Sequence, residues 1–422
     1  MKYPIKTKII ENRLLAFPKN TKEISKLMSF AFKNDINVIP LGGETNRVEG
    51  TTSIINKTIY INFKNMNKVI DLDEDNLIIT VESGVLLQKV HEKVSKKGLF
   101  FPVNIAPSGQ CTIGGNISTN VGGLQTLRYG NIENNINGLE VVLSDGTILD
   151  LQSKLKKDNF GPKFWKIFCG SEGIFGIITK ANLKLIPIKK YKTTYLIQIN
   201  SLKKSINLFK DIRKYFYDNL ISFEIIFPIP LSILLDQKKQ NIALIIEINS
   251  NEKNNYYSAT KKLFNKHSAK IINIEKNLQN SQIWKQREKI VYNQKIHHFN
   301  HKFDISLPLN NWEKFIKEIN TYIKLNKQFT PYFFGHLGDG NLHCNFKIEP
   351  DSASNLKKIT NYIFKLSLKL KGSIAAEHGL GIKKNELIQK YKSKEYVKFL
   401  TNYKKHLDPK LILGKGKLFK TP

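Results

Sequence analysis

Residues 107–123 read Pro107-Ser108-Gly109-Gln110-Cys111-Thr112-Ile113-Gly114-Gly115-Asn116-Ile117-Ser118-Thr119-Asn120-Val121-Gly122-Gly123. Five of these residues are glycine, yet the stretch is too varied to be a low-complexity linker. Glycine costs roughly 0.5–1 kcal/mol relative to alanine inside an element, and it is favoured where backbone must approach a ligand closely. Backbone N–H groups freed in such turns make anion-binding nests suited to a pyrophosphate. Two further glycine loops share this half of the chain. Leu41-Gly42-Gly43-Glu44-Thr45-Asn46 follows the strand-like run Ile36–Pro40, and Gly170-Ser171-Glu172-Gly173-Ile174-Phe175-Gly176 precedes the strand-like run Ile177–Leu185. Taken singly, each loop reads equally well as an ordinary tight turn. None matches G-x-G-x-x-G or the P-loop, so neither a Rossmann NAD site nor an ATP site is supported.

Outward from these loops, the N-terminal part alternates strands and helices. Leu14–Pro18, Leu77–Val81 and Gly138–Leu143 are strand-like. Asn20 and Glu23 form a capping box that opens a helix with Ile24, Leu27, Met28 and Ala31 on one face. Leu86–Lys97 predicts an amphipathic helix stopped by Gly98. Pro187 and the basic stretch after it mark a domain boundary. Beyond residue 191 the pattern changes to period-two strands at Tyr195–Ile199, Ile221–Phe227, Ile242–Ile248, Lys302–Leu307 and Tyr332–His336, separated by long lysine-rich helices. That predicts an α+β domain on a largely antiparallel sheet with helices over one face.

The formal charge of +32 invites a nucleic-acid reading. Of 67 basic residues, however, only Arg13, Arg47, Arg128, Arg213 and Arg287 are arginine, and the lysines are spread along the whole length. A base-reading protein favours the arginine fork, and no zinc finger, basic zipper or aromatic RNA-binding signature accompanies the charge. No specific nucleic-acid partner is expected, and a basic polyanion-binding protein is the remote alternative. An arginine inside a motif then signals a need for bidentate geometry. Cys111, Cys169 and Cys344 are far apart and form no CxxC pair, which excludes an iron–sulfur module on this chain and argues against a disulfide framework. No apolar run approaches the roughly 18 residues of a membrane span. The N-terminus lacks a signal-peptide core, so a cytoplasmic protein is expected, with peripheral attachment to a membrane left open.

The densest chemistry is Gly335-His336-Leu337-Gly338-Asp339-Gly340-Asn341-Leu342-His343-Cys344-Asn345. The Gly-Asp-Gly-Asn core is a turn between strand-like flanks, so His336 and His343 can face the same side of a hairpin. Two imidazoles so placed, with one carboxylate, make a three-ligand metal site with open positions. The carboxylate candidate is Glu377, in Ser373-Ile374-Ala375-Ala376-Glu377-His378-Gly379-Leu380-Gly381. Three of the nine histidines fall in these two segments. The alternative is that they are structural turn histidines.

The glycine loops, with Arg128-Tyr129-Gly130 between the second and third, resemble in content, order and spacing the FAD-binding domain of the vanillyl-alcohol oxidase/PCMH superfamily. The resemblance implies a domain of two α/β subdomains. Gly42, Gly43, Thr45 and Asn46 would cradle the pyrophosphate. Pro107, Ser108, Thr112, Gly114, Gly115, Ser118, Thr119 and Gly122 would line the isoalloxazine and phosphate arm, and Glu172, Gly173, Gly176 and Ile178 would hold the rest of the nucleotide. Some members attach the flavin through His or Cys. No His occurs in these loops and Cys111 fits the non-covalent pattern, so dissociable FAD is expected. The chain enters its first strand almost at once, where such relatives usually carry several dozen additional residues.

The histidine motifs, with Trp284-Lys285-Gln286-Arg287-Glu288, Lys302-Phe303-Asp304-Ile305-Ser306-Leu307-Pro308 and Leu407-Asp408-Pro409, resemble the D-lactate/D-2-hydroxyglutarate dehydrogenase family, which includes the flavin subunit of glycolate oxidase. This resemblance implies an FAD-binding domain at 1–190, a substrate (cap) domain at 191–395 and a C-terminal segment at 396–422 that returns to the FAD domain. It implies His336, His343 and Glu377 as ligands of a divalent metal, zinc or manganese. Arg287, Lys302 and Asn345 would bind a small D-2-hydroxy acid, and His378 would take its hydroxyl proton as general base. Hydride would pass from C2 to flavin N5. Electrons would leave to a separate quinone, electron-transfer flavoprotein, cytochrome or iron–sulfur subunit, and a homodimer is left open. Two departures stand out. Val291 occupies the position where hydroxyglutarate-type relatives place a substrate-binding Thr, and the tail reads Ile412-Leu413-Gly414-Lys415 where the family favours Asn-Pro before Gly-Lys. The main alternative is a flavoenzyme of the same fold with different chemistry.

Overall fold

The computed structural model describes residues 3–45, 48–235, 241–252, 256–278 and 281–420. The chain forms two compact units, one of Met1–Gly123, Tyr129–Ile188 and Glu377–Pro422, the other of Leu124–Arg128 and Lys189–Ala376. The second division falls at Glu377 rather than near residue 395. The chain just beyond it is tied into the first unit, since Leu380 N and Gly381 N both donate to the Glu172 carboxylate at 2.8 Å.

In the first unit, β1 (Thr7–Ile10), β2 (Arg13–Ala16), β3 (Asn37–Leu41) and β4 (Thr58–Asn62) make a sheet in the order β1-β2-β4-β3. Only β1 and β2 are antiparallel; β4 lies parallel to both of its neighbours. The helix Thr21–Lys33 covers this sheet. Asn20 caps it by accepting from Glu23 N at 3.0 Å, while Glu23 reaches back to Lys19 N at 2.9 Å. Its stripe of Ile24, Leu27, Met28 and Ala31 is buried with Val38, Ile59 and Ile61. Burying each large apolar side chain stabilises by roughly 1.5–3 kcal/mol.

The unit continues with β5 (Val69–Asp73), β6 (Ile78–Glu82), β7 (Leu99–Phe100), β8 (Ile136–Val142), β9 (Ile148–Leu151), β10 (Ile177–Lys184) and β11 (Ile186–Pro187). Five of these form an antiparallel sheet in the order β5-β6-β10-β8-β9, and β7 pairs with β11. The C-terminal tail is built into the first sheet's edge. Val38 N donates to Ile412 O at 2.7 Å and Gly414 N to Val38 O at 3.0 Å. Ile412 and Leu413, which stand where Asn-Pro was expected, are buried there, so apolar burial anchors the turn before Gly414.

The second unit is built on β12 (Tyr191–Ile199), β13 (Leu220–Ile226), β14 (Ile242–Ser250), β15 (Lys270–Lys276), β16 (His301–Ser306), β17 (Phe329–His336) and β18 (Asn341–Ile348). They form one seven-stranded sheet in the order β15-β12-β14-β13-β17-β18-β16, antiparallel throughout. Helices cover both faces of it rather than one. Every residue of β13 is buried, which period-two reasoning does not anticipate. On one face Phe209 meets Phe223, Phe264 meets Tyr195 and Phe364 meets Phe303, bringing the helices Leu202–Phe216, Tyr256–Lys266 and Ala353–Lys369 against the sheet. On the other, the helix Gln282–Ile296 packs Ile283 and Ile290 on Ile226, Ala243, Ile245, Tyr332 and Phe334.

Candidate functional site

The three glycine loops of the first unit converge on a cavity. Of the residues assigned to a cofactor, Gly42, Gly43, Thr45, Pro107, Thr112, Gly114, Gly115, Ser118, Thr119, Gly122, Glu172, Gly176 and Ile178 line it. Asn46 lies outside the described residues. Ser108 and Gly173 are not part of the wall. The Ser108 carbonyl accepts from Gln88 N at 3.0 Å, and Gly173 backs onto Pro40, whose Cγ would lie 2.7 Å from an added Cβ. The backbones of Gly42 and Gly115 nearly touch. A Cβ on Gly42 would sit 3.2 Å from Gly115 Cα and 3.1 Å from Thr112 Oγ1. Side chains would fill this slot, so the cavity presents bare backbone and small hydroxyls, which fits a pyrophosphate-bearing cofactor.

Glu377 and His378 line the same cavity. The glycines after them hold them there. Gly379 and Gly381 have φ of +71° and +55°, and an added Cβ would lie 2.5 Å from Glu172 Oε1 and 1.9 Å from Val48 O respectively. Any other residue would push this strand of chain off the Glu172 carboxylate.

Among the wall residues that the sequence left without a role, Ser83 and Lys417 matter most. Ser83 carries no motif; its hydroxyl donates to Ile178 O. Asn116, within the quoted loop, also lines the cavity, and its amide donates to the Cys111 thiol at 3.4 Å. Lys417 was hidden among many lysines, its only signal being the glycines Gly414 and Gly416 just before it. It is 4% exposed, and its Nζ donates to Glu172 O at 2.8 Å. Burial pushes its ammonium down to about 8; the Glu172 carboxylate opposes that and the Lys404 cation reinforces it. Lys404 is itself buried, donating to Ile174 O at 2.6 Å, Leu413 O at 2.9 Å and Asp408 Oδ2 at 2.5 Å. Asp408 also accepts from Ile412 N and Leu413 N. This network fixes the turn that carries Lys417. Cys111 also lines the cavity, and burial pushes its thiol up.

In the second unit, register gathers the remaining candidates on one sheet face. Directly paired residues of antiparallel strands share a face, as do residues two apart. Glu224 pairs with His336, His336 with Asn341, Phe334 with His343, His343 with Asp304, and Asn345 with Lys302. Glu224, Phe334, His336, Asn341, His343, Asn345, Asp304 and Lys302 therefore share the face on which Gln282–Ile296 lies. That helix contributes Arg287, whose guanidinium carbon sits 4.7 Å from the centre of the Phe334 ring.

The imidazoles of His336 and His343 are 5.3 Å apart, ring centre to ring centre. Each turns Nδ1 toward a buried carboxylate: His336 to Glu224 at 2.5 Å and His343 to Asp304 at 3.8 Å. Glu224 also accepts from Arg287 Nε at 2.9 Å. Burial pushes the Glu224 carboxyl up, but His336 and Arg287 outweigh it and hold the group below the usual carboxylate range. Asp304 accepts from Asn341 Nδ2 at 2.8 Å, while Asn341 Oδ1 is buried without a hydrogen-bond partner. Asn345 donates to Gln294 at 2.6 Å, and Lys302 is exposed on the edge strand β16. Two imidazoles whose Nδ1 atoms face carboxylates, beside an orphaned buried oxygen, are a donor set that fits a divalent cation.

Both halves of the chain match known protein families. Residues 13–152 match the FAD binding domain model and residues 188–418 match the model for the C-terminal domain of FAD linked oxidases. A protein of Oryza sativa subsp. indica named as a mitochondrial D-2-hydroxyglutarate dehydrogenase is 34% identical, over 96% of this chain and 75% of its own length. A Schizosaccharomyces pombe protein named as a mitochondrial D-lactate dehydrogenase is 30% identical over 96% and 81%. Among solved structures, an alkyldihydroxyacetonephosphate synthase shares the fold with a TM-score of 0.72 and 18% identity, covering 94% of this chain and 76% of that one. Among the described residues no helix is long and apolar enough to cross a membrane. With glycine loops that converge on one cavity and matches that run nearly end to end, this chain belongs to the FAD-linked oxidase family that includes the D-2-hydroxyglutarate and D-lactate dehydrogenases, and it is an FAD-binding oxidoreductase.

Proposed function

We propose that the chain oxidises a small D-2-hydroxy acid, such as D-lactate, D-2-hydroxyglutarate or glycolate, to the 2-oxo acid, using dissociable FAD and a divalent cation, zinc or manganese. The observation that carries this reading is the single sheet face bearing His336, His343, Asn345 and Lys302 under Arg287. Arg287 spends Nε on Glu224, which leaves its two terminal nitrogens to take the substrate carboxylate in a fork. Lys302 and Asn345, paired across neighbouring strands, hold the same substrate, Lys302 by charge and Asn345 by hydrogen bonding. His336 and His343, with Glu377 as third ligand, hold the cation. His378 accepts the hydroxyl proton, a transfer for which histidine is the usual side chain. When bound, the flavin supplies the two-electron acceptor and the cation supplies Lewis acidity.

Dissociable FAD is supported by the Cys111 thiol, which burial makes a poor nucleophile. The electrons would leave the reduced flavin for a separate acceptor. Anaerobic mixing of the metal-loaded holoprotein with a panel of D- and L-2-hydroxy acids tests the reading. The flavin absorbance should bleach with at least one D-acid and far more slowly with its L-enantiomer. No bleaching by any D-2-hydroxy acid would defeat it.

A further inference from the structure

Glu224 is a buried charge with no part in binding cofactor, cation or substrate under the reading above. It is 1% exposed, in the middle of the seven-stranded sheet, and both its oxygens are engaged: Oε1 with His336 Nδ1 at 2.5 Å and Oε2 with Arg287 Nε at 2.9 Å. An ionised carboxylate only accepts. His336 therefore keeps its proton on Nδ1, and its one lone pair stands on Nε2, the nitrogen turned away from Glu224. The same carboxylate grips the guanidinium at its Nε edge while the Phe334 ring supports it from one face. The guanidinium plane is fixed at two points, and its terminal nitrogens are left for a ligand. Burying a carboxylate is costly unless it is paired, and here both partners belong to the proposed site.

We propose that Glu224 is a positioning residue that sets, through one buried carboxylate, both the tautomer of a cation ligand, His336, and the orientation of the substrate-carboxylate clamp, Arg287. This rests on the proposed function. Losing Glu224 would impair two separate binding events at once, whereas loss of His336 or Arg287 alone would strike mainly one of them.

The test is Glu224→Gln in the FAD-loaded full chain, with Glu224→Asp as the variant that keeps the charge. Gln fills the same volume, but its carboxamide cannot accept from both neighbours. Affinity for Zn²⁺ or Mn²⁺, measured by chelator competition without substrate, should fall about 10–100-fold, as for other carboxylates that support ligating imidazoles. KM for the D-2-hydroxy acid should rise more than kcat falls, with FAD content and far-UV circular dichroism unchanged. Glu224→Asp should recover part of both losses. Wild-type values for metal affinity and KM in folded Glu224→Gln would overturn the proposal, and should Glu224→Gln not fold, wild-type values in Glu224→Asp would overturn it equally. A wild-type protein that neither binds the metal nor oxidises any D-2-hydroxy acid would instead refute the underlying function.

Discussion

Lys417 is a buried cation in the wall of the cavity proposed to hold FAD, and its burial costs the empty protein stability. Its ammonium lies in the cavity wall, 4% exposed, with a side-chain hydrogen bond to the Glu172 carbonyl and a second cation, Lys404, nearby. Folding lowers its pKa from 10.5 to about 8. Between those values the unfolded chain binds more protons than the folded one, so stability rises with pH across that window; below pH 8 the full penalty is in force. At about 1.4 kcal/mol per pH unit the penalty is roughly 3 kcal/mol at pH 7. Lys417→Met removes it and forfeits one hydrogen bond worth ~1 kcal/mol. The cofactor-free variant should therefore be roughly 2 kcal/mol more stable at pH 7, with the gain fading as pH approaches 10.5. FAD binding should move the other way, since a charge-assisted bond to an anionic ligand contributes roughly 1.5–3 kcal/mol. That is a loss of about ten- to a hundredfold in affinity. Urea titration of the deflavinated proteins at pH 7 and pH 10, followed through Trp165 (the one tryptophan in this unit), reads the first quantity. Quenching of flavin fluorescence reads the second. Equal midpoints at pH 7, together with an unchanged Kd for FAD, would refute the reasoning.

His378→Ala should slow anaerobic flavin reduction by roughly 10²–10⁴-fold with FAD content intact; a wild-type rate in stopped flow removes it as the base. Lys404→Met strands the Asp408 carboxylate, 0% exposed, on two backbone N–H groups, and should cost about 3–5 kcal/mol. Adding Asp408→Asn should restore part of that. A single variant with a wild-type urea midpoint would show that the tail is not anchored by this pair.

Much of the first unit was legible because its signals are local. The capping pair Asn20 and Glu23, the apolar stripe of the first helix and the glycine loops are each written within a few consecutive residues. The His336 and His343 spacing was legible for the same reason, since one hairpin turn separates them. Glu224 was not. In Ser222-Phe223-Glu224-Ile225 it reads as the polar, solvent side of an alternating strand, and only the pairing of β13 with β17, more than a hundred residues away, turns it inward onto His336. Lys417 looked like one more lysine in a lysine-rich chain, and the point at which the chain rejoins the first unit was placed nearly twenty residues late.

The sequence by itself determined the glycine loops, the capped first helix and the hairpin spacing of His336 and His343, because backbone freedom, periodicity and turn chemistry are properties of neighbouring residues. The tertiary structure alone decided which charges are buried together: Glu224 with His336 and Arg287, and Lys404 with Asp408 below the Lys417 turn. The reason is physical. Whether a charge is solvated or paired depends on what the sheet register and the packed helices bring within a few ångströms, and no local pattern encodes that distance.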